Sequence, residues 1–379
     1  MSEYQYYEFR AIDRPLDQDE MDELRALSTR AEITPTSFTN TYHWGDFKGK
    51  PSALMDRYFD AFVYVANWGT HRLMLRIPRG FLDVDAVEAY CDGEVVSLSA
   101  GKEHVVLVFS SDDESGDEWS EGERWMPSLV SIRDELMRGD LRALYLGWLA
   151  SLTADGRDAE DADDDEREPP VPPGLGKLSA PLRSLADFLR VDGELLEAAA
   201  AGSTGEAAAA PSRAEMSRWI KALPAADKDA YLLRFLAEEG DVPLRAELSK
   251  RFREATAPRK KGRARDDDGR RTVAQLLAAR DALTEEKSRK AAERAARERA
   301  QYLDQLALRE PDRWHEVGQL IATRRPKDHD LALSLLVDLR DLADRSGRTE
   351  EAARRIRELR QRLVNRPSLL NRFDEKLGR

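Results

Sequence analysis

Five histidines and one cysteine are the groups in this chain best suited to chemistry: His43, His71, His104, His315, His329 and Cys91. No two of the histidines stand at a metal-ligand spacing. One cysteine permits neither an intramolecular disulfide nor a cysteine-based zinc site. His315-Glu316 opens like the zincin signature H-E-x-x-H, but residue 319 is glutamine and the second ligand is missing. Gly174-Leu175-Gly176-Lys177 invites a phosphate-loop reading that also fails. That loop needs G-x-x-x-x-G-K-[ST], whereas residue 171 is Val and residue 178 is Leu. No G-x-S-x-G nucleophile elbow occurs. Cys91 continues the apolar pattern of VDAVEAY and reads as a structural thiol. No cofactor or metal is expected.

Two looser sets remain. Tyr6, Arg10, Asp13, His43, Asp46 and Arg72 would line one cleft if the strands that carry them lie side by side. Arg259, Lys260, Lys261, Arg263, Arg265, Arg270 and Arg271 form a basic cluster, interrupted by Asp266 to Asp268, and are a candidate nucleic-acid contact. The chain as a whole opposes generic duplex binding. Its net charge is −12 over 379 residues, and neutralising phosphates requires a basic surface.

The elements that must position these residues change character near residue 155. Before it, aromatic-rich alternating segments predict strands: EYQYYEFRAI, FVYVANWGTHRLMLRIP and EHVVLVF. The first strand has aromatics on both faces, which predicts cover on both sides. Asp17 and Glu20 make a capping box for a helix with Met21, Leu24 and Leu27 on its buried stripe. One extended segment is expected over 33–44, a short helix from Pro51, and a hairpin turning at Asn67-Trp68-Gly69-Thr70. Residues 1–154 therefore read as an α+β head. Its sheet is mixed or antiparallel with helices on one face, and a ferredoxin-like sandwich is one candidate. The acidic run DDESGDEWSEGE at 112–123 lacks calcium-loop spacing and reads as a solvated loop.

Residues 155–176, acidic and then proline-rich, read as an extended linker. A helical bundle segment follows over 177–257, in which Met216, Trp219, Ile220, Tyr231, Leu232 and Phe235 are expected to form core. Residues 258–271 read as a charged loop, 272–308 as one long helix, and 309–379 as a helical hairpin domain. In the long helix Lys290 and Arg297 follow Leu276 and Leu283 at the same heptad position, which argues against a parallel dimeric coiled coil. Ala292, Ala296 and Ala300 leave a small-residue seam for a neighbouring helix.

The opening YQYYEFRAIDRPLDQDEMDELRALSTRAEITPTSFTNTYHWGDFKG, with LRALYLGWLASL later, resembles a bacterial family of large soluble proteins with no assigned activity. The tail LLVDLRDLADRSGRTEEAARRIRELRQRLVNRPSLLNRFDEKLG is similar to the tails of bacterial SWIM zinc-finger proteins. The zinc motif CxC…CxH of that family is absent, so the resemblance implies a shared helical scaffold or partner and no zinc activity. The N-terminus has neither a basic n-region nor an apolar h-region, and no run of about 18 apolar residues occurs. The reading that results is a soluble, cytoplasmic, non-catalytic adaptor or assembly protein that binds another protein and no membrane. The alternatives are a nucleic-acid accessory factor using 259–271, or an enzyme of unknown class with its site in the head.

Overall fold

A computed structural model describes residues 3–113, 121–154, 156, 158, 162–163, 165–205, 212–236, 244, 247–248, 251–252, 255, 270–323, 325–364 and 366–378. The chain forms two compact units, Met1–Thr284 and Glu285–Arg379. The first is built on an antiparallel sheet of seven strands: β1 (Gln5–Arg10), β2 (Glu32–Thr34), β3 (Ser37–Tyr42), β4 (Ala61–Ala66), β5 (His71–Pro78), β6 (Val96–Ala100) and β7 (His104–Ser111). Their spatial order is β2-β3-β1-β4-β5-β7-β6. The segment expected as one extended run over 33–44 is two strands, because Pro35-Thr36 turns the chain into a tight hairpin.

Helices α1 (Gln18–Leu27) and α2 (Pro51–Arg57) complete a β-α-β-β-α-β unit with strand order β2-β3-β1-β4, the ferredoxin-like plait. Asp17 and Glu20 do close a capping box on α1. Both helices lie on one face of the sheet, where Leu24, Leu54 and Met55 pack with Tyr7, Phe9, Phe38 and Phe62. β1 is flanked on both sides, with Phe9 opposite Phe38 and Phe62. The rings of Phe9 and Phe62 stand 4.3 Å apart.

The other face of the extended sheet carries a larger layer, so the helices are not confined to one face. It comprises α3 (Val84–Glu88), α4 (Trp125–Leu129), α5 (Ser131–Met137), α6 (Arg142–Ala154), α7 (Ala180–Phe188) and α8 (Gly193–Gly202). α6 is buried around most of its circumference. Gly147 permits this, because a Cβ there would lie 2.3 Å from the Val96 side chain of β6.

The stretch expected as a linker is divided. Residues 155, 157, 159–161 and 164 lie outside the described residues, but 168–176 are packed. Glu168, Pro169, Pro172 and Leu175 are buried. The Tyr90 hydroxyl donates to the Pro170 carbonyl at 2.6 Å, and the Ser203 hydroxyl donates to Pro172 at 2.8 Å. The prolines are fixed by apolar cover and by donors that reach their carbonyls, neither of which shows in composition. α7 and α8 thus belong to the head core, and the division between units falls within α11 (Val273–Ala307).

Helices α9 (Arg213–Ala222) and α10 (Ala225–Leu236) correct a second expectation: neither has a buried residue. Met216, Ile220, Leu232 and Phe235 are exposed instead of forming a bundle core. Among the described residues Trp219 has Phe252 as a ring partner, at 5.3 Å.

The second unit contains α11 from Glu285 onward, then α12 (Glu310–Ala322), α13 (Pro326–Arg345), α14 (Thr349–Arg362) and α15 (Pro367–Leu377). Its core joins Leu303 and Leu306 to Val317, Leu336, Leu339, Leu363 and Phe373. Gly347 turns the chain between α13 and α14 at φ +70°, a left-handed conformation that favours glycine. Pro326 starts α13 at its first turn. Thr349 is the first residue of α14, and no side chain caps that helix.

His71 joins α7 to the sheet. Its ring stacks on Phe188 at 4.8 Å, and its Nδ1–H donates to the Phe188 carbonyl at 2.9 Å. Burial pushes its pKa down to about 4. The unfolded chain, with an ordinary histidine near 6.5, therefore binds the proton more readily. Stability contributed by neutral His71 is complete above pH 6.5 and is lost as pH falls toward 4. The expected loss is about 3 kcal/mol, at roughly 1.4 kcal/mol per pH unit. Urea titrations between pH 7 and 4 should show this slope in the wild type, and a His71→Phe variant should lack it.

Candidate functional site

Four of the six head residues proposed for one cleft fall into three separate polar groups, and Arg72 and His43 stand outside all three. On β1, Tyr6 and Arg10 converge on Glu8, which is only 2% exposed. The Tyr6 hydroxyl donates to Glu8 Oε2 and Arg10 Nε to Oε1, both at 2.8 Å. Burial, and then the bond to Glu8, raises the Tyr6 pKa far above that of an ordinary tyrosine. On the opposite sheet face Gln5 receives the Tyr7 hydroxyl at 2.8 Å and the Tyr64 hydroxyl at 3.0 Å, and donates to Asp46 at 3.0 Å. Arg72 donates to the Ser110 hydroxyl at 3.2 Å. His43 is exposed, its ring 6.1 Å from Tyr4. Alternation along β1 sends Tyr6 and Arg10 to one face and the partner of Asp46 to the other, so the sheet itself separates the set.

Asp13 belongs to a third group that sequence reasoning missed. It accepts from Arg133 Nη2 at 2.6 Å, while Arg133 Nε donates to the Arg76 carbonyl at 2.7 Å. Arg76 holds the buried Asp60 with its Nη2 at 2.8 Å, and the backbone N–H groups of Ile12 and Asp13 donate to the same carboxylate at 2.7 and 2.9 Å. Burial raises the Asp60 pKa. The two backbone donors and Arg76 outweigh it and leave the carboxyl below the ordinary range. These donors arrive from the loop after β1, from β5 and from α5, and no local spacing signals them.

Cys91 is half-buried on the helix layer, its thiol directed at the Val87 carbonyl at 3.5 Å and pushed up to about 11 by burial. Such a thiol is a poor nucleophile at neutral pH. No group of three or more metal-ligating side chains occurs among the described residues.

The basic cluster has a different outcome. Arg259, Lys260, Lys261, Arg263 and Arg265 lie outside the described residues. Arg271 is engaged inside the head. Its Nε and Nη2 each donate to the Glu168 carboxylate at 2.9 Å, and Nη1 donates to the Ala198 carbonyl of α8 at 2.9 Å. Glu168 is 1% exposed and also receives the Tyr145 hydroxyl of α6. Arg270 donates to the Glu168 carbonyl at 3.2 Å. Around this pair the backbones of 166–168 and 271–273 form a short antiparallel bridge. Arg271 therefore closes the head core and is not displayed for a phosphate.

The second unit contains a cleft of about 530 Å³ between α12 and α14. Trp314 of α12 forms one wall and Arg355 of α14 stacks over its ring at 5.3 Å. Trp314 and Ile321 are half-buried and Val317 is buried. Arg348 grips Glu310 at 3.1 and 2.7 Å and holds its carboxyl below the ordinary range. Along α14 the cleft presents Arg348, Glu351, Arg355, Glu358 and Arg362, all exposed and alternating in sign. Their three- and four-residue spacing places them on one helix face. The spacing is legible in RTEEAARRIRELRQR once the charged residues are followed as well as the apolar ones.

No protein-family model, curated protein or solved structure gives a significant match to the chain.

Removing the Arg271 side chain strands Glu168 in the core with one hydroxyl donor from the protein side chains. Arg271→Ala is expected to cost about 3–5 kcal/mol of stability in urea denaturation, as for other broken buried pairs. Arg271→Lys should recover only part of that loss, because an ammonium cannot grip the carboxylate and the α8 carbonyls in the same fork geometry.

Proposed function

We propose that the protein is a non-catalytic adaptor or assembly factor of the cytoplasm that works through protein–protein contacts. The observation that carries this reading is the middle of α11. Every residue from Thr284 to Glu298 is exposed, about four helical turns with polar or small side chains all round. A helix of this kind gains little from propensity alone. It is secured at both ends instead: Val273, Leu276 and Leu277 are in the head core and Leu303 and Leu306 in the core of the second unit. Pairs such as Glu286–Lys290 at 2.5 Å and Arg294–Glu298 at 2.8 Å are exposed and add only weakly to it. A helix polar all round leaves surface to spare for a partner.

The charged cleft of the second unit supplies a recognition surface of the same kind. The engagement of Arg271 by Glu168 weakens the nucleic-acid alternative, and the division of the head set among three groups weakens the enzymatic one.

Affinity purification of the full chain with lysine cross-linking tests the proposal. The expected result is protein cross-links at Lys287 or Lys290 that are lost at about 0.5 M salt, where charged contacts are screened. Recovery of nucleic acid without protein cross-links in this stretch would overturn it.

A further inference from the structure

Two exposed stripes in the second unit have the same spacing and matching charge. On α14 the stripe runs Arg348, Glu351, Arg355, Glu358, Arg362. On α11 it runs Glu286, Lys290, Glu293, Arg297, and all four are exposed. Each alternates in sign at heptad spacing, the pattern by which one helix lies along another.

Direction decides whether they fit. In each stripe the basic residue precedes its acidic neighbour by three positions: Lys290 before Glu293, Arg348 before Glu351 and Arg355 before Glu358. Parallel packing would set like positions together and oppose basic to basic. Antiparallel packing sets each basic position against an acidic one. A single register then faces Glu286 with Arg362, Lys290 with Glu358, Glu293 with Arg355 and Arg297 with Glu351, with Ala300 next in line toward Arg348. All four charged pairs are opposite in sign. Ala296 flanks the seam with a small side chain, which allows close approach. Trp314 and Leu359 give the cleft apolar surface beside it.

We infer that the α14 cleft receives the exposed stretch of α11 from a second copy of this chain, antiparallel, in the register above. The inference rests on the protein–protein reading and names its partner. The contacts it displaces are weak. Glu286–Lys290, Arg289–Glu293 at 4.0 Å and Arg355–Glu351 at 3.8 Å are exposed pairs within single helices, and the Arg355 guanidinium also lies over the half-buried Trp314 ring at 5.3 Å. Glu358, Arg362 and Arg297 have no ion-pair partner among the described residues. Because each copy carries both stripes, a twofold dimer uses each of them once and forms two seams. A seam of this composition should be weak and sensitive to salt.

Sedimentation velocity on the full chain tests it. At about 50 mM salt the wild type is expected to associate with rising concentration toward twice the monomer mass, and to be monomeric at about 1 M salt, where the Debye length is near 3 Å. Arg355→Glu with Arg362→Glu should weaken association at least about tenfold, and so should Glu286→Arg with Glu293→Arg, since each opposes like charges. The chain carrying all four substitutions should associate again, because both pairs are restored with signs exchanged. Circular dichroism on each variant checks that the helices persist. A dimer indifferent to the reversals, or one that the fourfold variant fails to restore, overturns the register. A wild type that stays monomeric at low salt while its exposed stretch still cross-links to another protein overturns self-pairing and leaves the adaptor reading standing.

Discussion

Glu168 lies almost sealed from water, and the fold tolerates it because Arg271 reaches it from 103 residues further along the chain. Burial of a lone carboxylate would cost several kcal/mol, so the pair is a constraint as much as a contact. Tyr145 supplies a donor from α6, and the other arm of Arg271 satisfies a carbonyl at the C-terminal end of α8. The Arg271 side chain fills the space beside Gly202, where a Cβ would lie 2.6 Å from the guanidinium. Four parts of the chain must therefore be in place together: the stretch after the acidic run, α6, α8 and the start of α11.

That constraint determines what the long helix can be. Val273, Leu276 and Leu277 follow Arg271 directly into the head core, so the first turns of α11 are fixed. Leu303 and Leu306 are fixed in the second core. The residues between have no core to join, and their composition matches: alanine, glutamate, arginine and lysine, which favour helix without apolar burial. The charged residues along this stretch, like Arg348, Glu351, Arg355, Glu358 and Arg362 along α14, are exposed.

Much of the fold was legible in the sequence, because its signals are local. The capping box at Asp17 and Glu20, the hairpin around Gly69 and the aromatic alternation of β1 each depend on residues a few positions apart. A ferredoxin-like sandwich was one candidate from element order, but the plait also uses the hairpin at Pro35-Thr36, which the sequence presents as one extended run. The packing of residues 168–176 was not legible, since a charged, proline-rich stretch has the composition of a solvated linker whether or not a tyrosine and a serine reach its carbonyls. The engagement of Arg271 was hidden for the same reason: its neighbours in sequence are basic, whereas its partner in space is Glu168. The head candidates were real polar groups, but the period of two along β1 divided them between faces. The α14 stripe is hard to read from sequence, because Ala352, Ile356, Leu359 and Leu363 mark the inner face of an amphipathic helix and the charges beside them have the composition of any solvated face.

Backbone amide exchange on the full chain, followed by mass spectrometry, tests most directly whether Glu168 and Arg271 fasten the stretch after the acidic run and the base of the long helix to the sheet. If they do, peptides covering 166–178 and 271–279 should exchange as slowly as those from β4 and β5, since one cooperative unit opens together. Peptides from 284–298 should exchange much faster, at the rate of a solvent-exposed helix. Rapid exchange over 166–178 while β4 and β5 remain protected would contradict the account and return that stretch to the role of a linker.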